Sequence, residues 1–112
     1  MFHSFLDRLE LANGVQMPCI SFGSWQVPNE TQLVDAISQA IQLGYRSFDT
    51  AQIYGNTAAI GHAIRESTIA REEFFITSKI WVTNRSPDGV RAAVTEMLEQ
   101  LRTPYLDLLV IH

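Results

Sequence analysis

Four short apolar runs open at Ile20, Arg46, Phe74 and Leu106, and between each pair lies a segment whose apolar residues return at helical spacing. Parallel strands need a long crossover, usually a helix, so this alternation restricts the chain to a parallel sheet with helices packed on it. The runs are ISFGSW (Ile20 to Trp25), the stretch Arg46 to Thr50, FFITSKI (Phe74 to Ile80) and LDLLVIH (Leu106 to His112), and the first reads as a buried strand. Helix one should open near Glu30, with Asn29 as N-cap, Gln32 as capping-box partner, and Leu33, Val34, Ile37, Ala40 and Ile41 on one face. Gly44 sits where a left-handed residue ends a helix. Helix two, from about Thr57, carries Ala59, Ile60, Ala63 and Ile64; helix three follows Ser86-Pro87 with Val90, Val94, Met97, Leu98 and Leu101 in a stripe.

Ahead of the first run, the text from Leu6 to Ile20 has two apolar stretches around Asn13-Gly14, a strong two-residue hairpin signal. With no linker or low-complexity segment, residues 1–112 read as one domain: a hairpin over 6–20, then the order βαβαβαβ. A (β/α)8 barrel takes roughly 250 residues, so the expected fold is α/β of the TIM-barrel type, represented by the hairpin, the first four strands and three helices. On that reading the domain is incomplete. The rival is a small doubly wound sheet.

Composition narrows the function. With 46% hydrophobic and 18% charged residues the chain reads as an ordinary soluble domain. A net charge of −4, with its eight lysines and arginines scattered, predicts no nucleic-acid partner. The N-terminus MFHSFLDRLE has no basic stretch followed by a sustained apolar run, and no segment approaches the ~18 apolar residues of a membrane span, so the expectation is a cytoplasmic protein with no membrane contact. The single cysteine, Cys19, cannot form an internal disulfide; it reads as a small buried hydrophobe and fits a reducing compartment.

In parallel α/β architectures the reactive groups gather where strands end at their carboxyl termini. Applied here, that filter selects Gly23-Ser24-Trp25 after the first strand, Asp49 and then Tyr54 after the second, Lys79 on the third and His112 on the fourth. Each has a duller explanation alone: Asp49 as a cap, Tyr54 as packing, Lys79 reaching solvent, His112 as a frayed end. Together they put an acid, a phenol, a cation and an imidazole on one rim, which a common site explains better than coincidence. An Asp49–Lys79 ion pair would hold the ammonium near the Tyr54 phenol, where a positive charge favours phenolate and eases release of the proton. His112 could hold a carbonyl oxygen, so the set suits polarising and protonating a C=O rather than attacking one. The chain contains no G-x-G-x-x-G, no G-x-x-x-x-G-K-[ST] and no G-x-S-x-G, and its three histidines share no metal-ligand spacing with one another or with Cys19. No metal is expected, and His62 reads as an exposed helix side chain.

GYRSFDTAQIYGN (Gly44 to Asn56), ITSKIW (Ile76 to Trp81) and LDLLVIH (Leu106 to His112) resemble, in order and spacing, three signature segments of the aldo-keto reductase family. ANGVQMPCISFGSW (Ala12 to Trp25) resembles its opening hairpin and first strand. The resemblance implies a (β/α)8 barrel that reduces aldehydes or ketones with NADPH, or less often NADH, on a catalytic tetrad of Asp49, Tyr54, Lys79 and His112. It further implies Gly23, Ser24, Trp25 and Asp49 at the cofactor, and Trp25, Tyr54, Trp81 and His112 at a small-molecule carbonyl substrate. Ser24 departs from the usual Thr, and Thr57 from a frequent acidic residue. Since later strands supply most cofactor contacts in this family, the chain alone is expected to be inactive. Because half a barrel leaves strands one and four unpaired, with LDLLVIH apolar and β-prone, it is also expected to be prone to self-association. Two further readings stand beside this one: a non-catalytic binding or regulatory protein on the same scaffold, and a truncated remnant.

Overall fold

The structure, a computed structural model, describes residues 3–112, so the first two residues of the expected domain lie outside the described residues. Strands β1 (Arg8–Glu10) and β2 (Gln16–Pro18) pair antiparallel as the hairpin. Its turn is not the two-residue Asn-Gly type. That type needs φ > 0 at both central residues, but here Gly14 alone takes a positive φ, +84°. Gly14 N donates to Leu11 O at 2.8 Å and Leu11 N to Val15 O at 2.8 Å, while Asn13 Oδ1 accepts from Val15 N. The loop is therefore three residues long, with glycine in the left-handed position after a tight turn.

Four parallel strands follow: β3 (Phe22–Gly23), β4 (Ser47–Asp49), β5 (Phe75–Ile80) and β6 (Leu108–Ile111), side by side in chain order. Between them run helices α1 (Glu30–Gln42), α2 (Thr57–Glu66) and α3 (Pro87–Leu101). α1 packs on α2 and α2 on α3, so all three lie on one face of the sheet. A strand order that never reverses, with its helices on one side, is the winding of a barrel; a doubly wound sheet reverses its order and covers both faces.

The helix boundaries follow from their caps. Asn29 Oδ1 accepts from Gln32 N at 2.9 Å at the start of α1. At its end Gly44, at φ +107°, donates to Ile41 O while Tyr45 N reaches back to Ala40 O, a Schellman closure. Ser86 Oγ accepts from Gly89 N at the start of α3, with Pro87 in its first turn. Leu33, Ile37, Ile60 and Phe48 are fully buried between helices and sheet, each stabilising by about 1.5–3 kcal/mol relative to exposure. On α3 the innermost residues are Ala93, Met97 and Leu101; Val94 and Leu98, expected in the same stripe, are half-buried at its flank.

Strand alternation divides β5 between the two faces. Ile76 and Ile80 pack into the helix-side clusters, so Phe75, Thr77 and Lys79 look to the opposite face, the inside of the sheet's curve. One strand differs from the sequence reading. β3 is two residues long and half-exposed rather than buried, with Ile20 39% exposed, because it is an edge paired only with β4. β6 is the other edge; for the same reason its apolar Leu109, Val110 and Ile111 stand exposed. Cys19 is half-buried rather than buried, its Sγ 3.5 Å from the carbonyl oxygens of Ser4 and Phe5. No helix among the described residues is long and apolar enough to cross a membrane.

Candidate active site

Asp49 is the last residue of β4 and pairs in register with Thr77 of β5, two positions before Lys79 on the same face. Lys79 Nζ lies 2.9 Å from Asp49 Oδ1 and 2.8 Å from Oδ2, and donates also to Thr50 O at 3.1 Å. The lysine side chain is 18% exposed and the carboxylate 33%. A lysine this far from water needs a partner, and Asp49 supplies one from the neighbouring strand. The expected ion pair is present.

Beyond Asp49 a single 3-10 turn, Gln52–Tyr54, carries the phenol back over the sheet. Gly55, at φ +69°, then reverses the chain into α2, a conformation that side chains rarely adopt. Tyr54 Oη sits 3.5 Å from Lys79 Nζ, at the outer limit of a hydrogen bond, and the ammonium is 5.2 Å from the ring centroid. His112 follows β6 and is anchored by its backbone N to Ile80 O at 3.0 Å. Its ring meets Tyr54 edge-on at 6.1 Å and Trp81 edge-on at 5.3 Å. Asp49, Lys79, Tyr54, His112 and Trp81 thus form one contiguous group at the carboxyl ends of β4, β5 and β6.

The first strand contributes differently. Ser24, selected as a cofactor contact, is 1% exposed, and its hydroxyl donates to Asp49 O at 3.0 Å. It anchors the peptide that carries Asp49. Gly23 pairs with Asp49 in register, and Trp25 beside it is 67% exposed and forms no ring pair with Tyr54, Trp81 or His112 among the described residues. Sequence reasoning left out Asn56, which is 8% exposed and donates from Nδ2 to Ser24 O at 2.7 Å and to Val27 O at 3.3 Å. Thr50 Oγ1 lies 3.4 Å from Asn56 Oδ1. These buried polar contacts tie the loop after β3 to the start of α2 and so fix both ends of the Tyr54 turn. Asn56 closes the motif GYRSFDTAQIYGN, which was the one available signal for it. Gln52, also left out, accepts from Trp81 N and from Asn84 Nδ2.

The model of the aldo/keto reductase family matches residues 19–112. The chain is 44% identical over 109 residues to glyoxal reductase of Bacillus subtilis, covering 97% of this chain and 40% of that protein. It is 43% identical over 108 residues to the NADPH-dependent D-xylose reductase of Candida boidinii, covering 93% of this chain and 33% of that protein. Among solved structures, an aldo/keto reductase from Brucella melitensis superposes with a TM-score of 0.91 at 37% identity, over 100% of this chain and 42% of that one. The chain therefore spans well under half the length of the proteins it matches.

Proposed function

This chain belongs to the aldo/keto reductase family, and on that premise we propose that it carries the proton-donating part of an active site that reduces aldehydes or ketones to alcohols. The observation that carries the proposal is the distance of 3.5 Å between Tyr54 Oη and an ammonium held by both oxygens of Asp49. Family members use NAD(P)H; we take NADPH as the cofactor, with NADH as the second choice. The donor set fits the reacting end of such a cofactor, since it offers a proton, a cation to stabilise what remains, and an imidazole. Among the described residues Lys79 is the one lysine or arginine hydrogen-bonded to or stacked on Asp49, Tyr54 or His112. Barrel phosphate sites typically come from loops after the seventh and eighth strands, so the four strands here account for the reacting end alone.

When bound, a reduced nicotinamide supplies hydride to the carbonyl carbon. Tyr54 gives its phenolic proton to the carbonyl oxygen as negative charge grows there, which completes the alcohol. The ammonium of Lys79 then stabilises the phenolate left behind, and Asp49 keeps that ammonium aimed at it. His112, between two rings, holds the carbonyl oxygen towards Tyr54. Trp25 and Trp81 would wall the substrate, and Gly23, Ser24, Trp25 and Asp49 would border the nicotinamide, Ser24 through the backbone it anchors. Small dicarbonyls and aldoses are the first substrates to try, because glyoxal and D-xylose appear in the names of relatives.

The test is NADPH oxidation with glyoxal, methylglyoxal and D-xylose, in a complete barrel carrying these residues. Turnover that needs Tyr54 is expected. A barrel that binds NADPH but reduces none of a broad aldehyde panel would favour a binding or regulatory protein on the same scaffold.

A further inference from the structure

The turn that carries Tyr54 also carries a brace. Gln52 Oε1 accepts from Trp81 N at 3.1 Å and from Asn84 Nδ2 at 3.0 Å. Asn84 N in turn donates to Trp81 O at 3.0 Å, so residues 81–84 form a closed turn with the Gln52 carbonyl seated in its mouth. Trp81 leaves β5 directly after Ile80, whose carbonyl holds His112 N, and its ring meets the imidazole at 5.3 Å and 84°. On the other side of the imidazole stands Tyr54, at 6.1 Å and 86°. His112 is exposed and lies at the edge strand, so little else in the described residues fixes its ring.

We propose that Gln52 is a positioning residue: from the Tyr54 turn it pins the Trp81–Asn84 turn, so that the His112 imidazole stays clamped between the phenol and the indole. The inference deepens the reductase reading and rests on it for its functional meaning. One carbonyl oxygen accepting two donors is what makes the link directional. Replacement by a side chain without an acceptor frees Trp81 N and the Asn84 amide to solvent and uncouples the two loops, whereas a carboxylate still accepts from both. The brace also joins two loops that leave different strands, β4 and β5, so that they share one geometry. A site whose supporting contacts are lost by about 1 Å loses much of its efficiency.

Trp25 and Trp81 are the two tryptophans of the chain, so Trp25→Phe leaves Trp81 as the single reporter. In that background acrylamide quenching and far-UV circular dichroism are compared for Gln52, Gln52→Leu and Gln52→Glu, without cofactor or substrate. Gln52→Leu should raise the quenching constant of Trp81 about twofold with an unchanged dichroism spectrum, and Gln52→Glu should stay near the parent. Asn84→Ala, which removes one of the two donors, should fall between them. Equal quenching in Gln52→Leu and its parent would overturn the proposal. So would equal quenching in the Leu and Glu variants, or a Gln52→Leu chain that loses its secondary structure, since Gln52 would then be a general stability element. In a complete barrel, kcat/KM for an aldehyde should fall about tenfold in Gln52→Leu and recover in Gln52→Glu. Because quenching is read without catalysis, a failed reductase assay sinks the functional reading and leaves the quenching result standing, and the reverse holds.

Discussion

Lys79 on β5 holds both carboxylate oxygens of Asp49 on β4, at 2.9 and 2.8 Å, and from that position its ammonium still reaches within 3.5 Å of the Tyr54 phenol. A cation tied this closely to one acid is fixed in space, which is what a charge must be to act selectively on a third group. In the proposed reduction Asp49 would aim Lys79, and Lys79 would stabilise the phenolate.

Lys79→Met is expected to lower kcat for carbonyl reduction about 10²-fold or more in a complete barrel, and Asp49→Asn to lower it less, because asparagine still accepts a hydrogen bond while no longer balancing the charge. Steady-state kinetics of both variants as a function of pH checks the order. If Lys79→Met left the rate unchanged at every pH, the ammonium would not be stabilising the phenolate left by Tyr54.

A second ion pair has a structural task. Arg71 donates to Asp107 Oδ2 at 2.8 Å, and the same oxygen accepts from Ile76 N at 2.8 Å, so one carboxylate joins the start of β5 to the approach of β6. The two side chains are 16% and 14% exposed. Removing one partner of such a pair leaves the other charge buried, so Asp107→Ala should destabilise by about 3 kcal/mol. Urea denaturation of a complete barrel carrying the change measures it. A loss under about 1 kcal/mol would place the anchoring elsewhere.

Gly61→Ala sets two effects against each other. Helix propensity favours alanine by about 1 kcal/mol, yet a Cβ at residue 61 would lie 2.7 Å from Leu101 O and 2.8 Å from Leu101 Cα, backbone atoms of α3 that cannot swing aside. The clash should win, and the melting temperature should fall. An unchanged or higher value would mean that α2 and α3 can separate at little cost.

The exposed edge of β6, with Ile111 at 76% exposure, invites pairing with another strand. The 112-residue polypeptide handled by itself should self-associate in size-exclusion chromatography, and Ile111→Lys should shift it towards monomer. A wild-type polypeptide that elutes as a monomer at every concentration would contradict this.

The alternation of strands and helices, the caps at Asn29 and Ser86 and the stop at Gly44 were legible in the sequence because each is a local signal: a periodicity or a residue type in a fixed place. Asp49, Tyr54, Lys79 and His112 were legible because strand ends place them on one rim. What escaped the sequence depends on pairing. An apolar run reads the same on an edge as in the centre of a sheet, so β3 was expected to be more buried than it is. Asn13-Gly14 fits more than one turn, and the choice rests on the register of β1 and β2. Gln52 and Asn56 act through backbone groups of loops distant in sequence, for which no spacing rule exists.

The most direct measurement on the central claim is single-turnover reduction of an aldehyde by Tyr54→Phe in a complete barrel, with NADPH affinity measured alongside. The account predicts a loss of about 10²-fold or more in the reduction rate with cofactor binding nearly intact, because the substitution removes the proton donor alone. A Tyr54→Phe enzyme keeping more than about a tenth of the parent rate would contradict it.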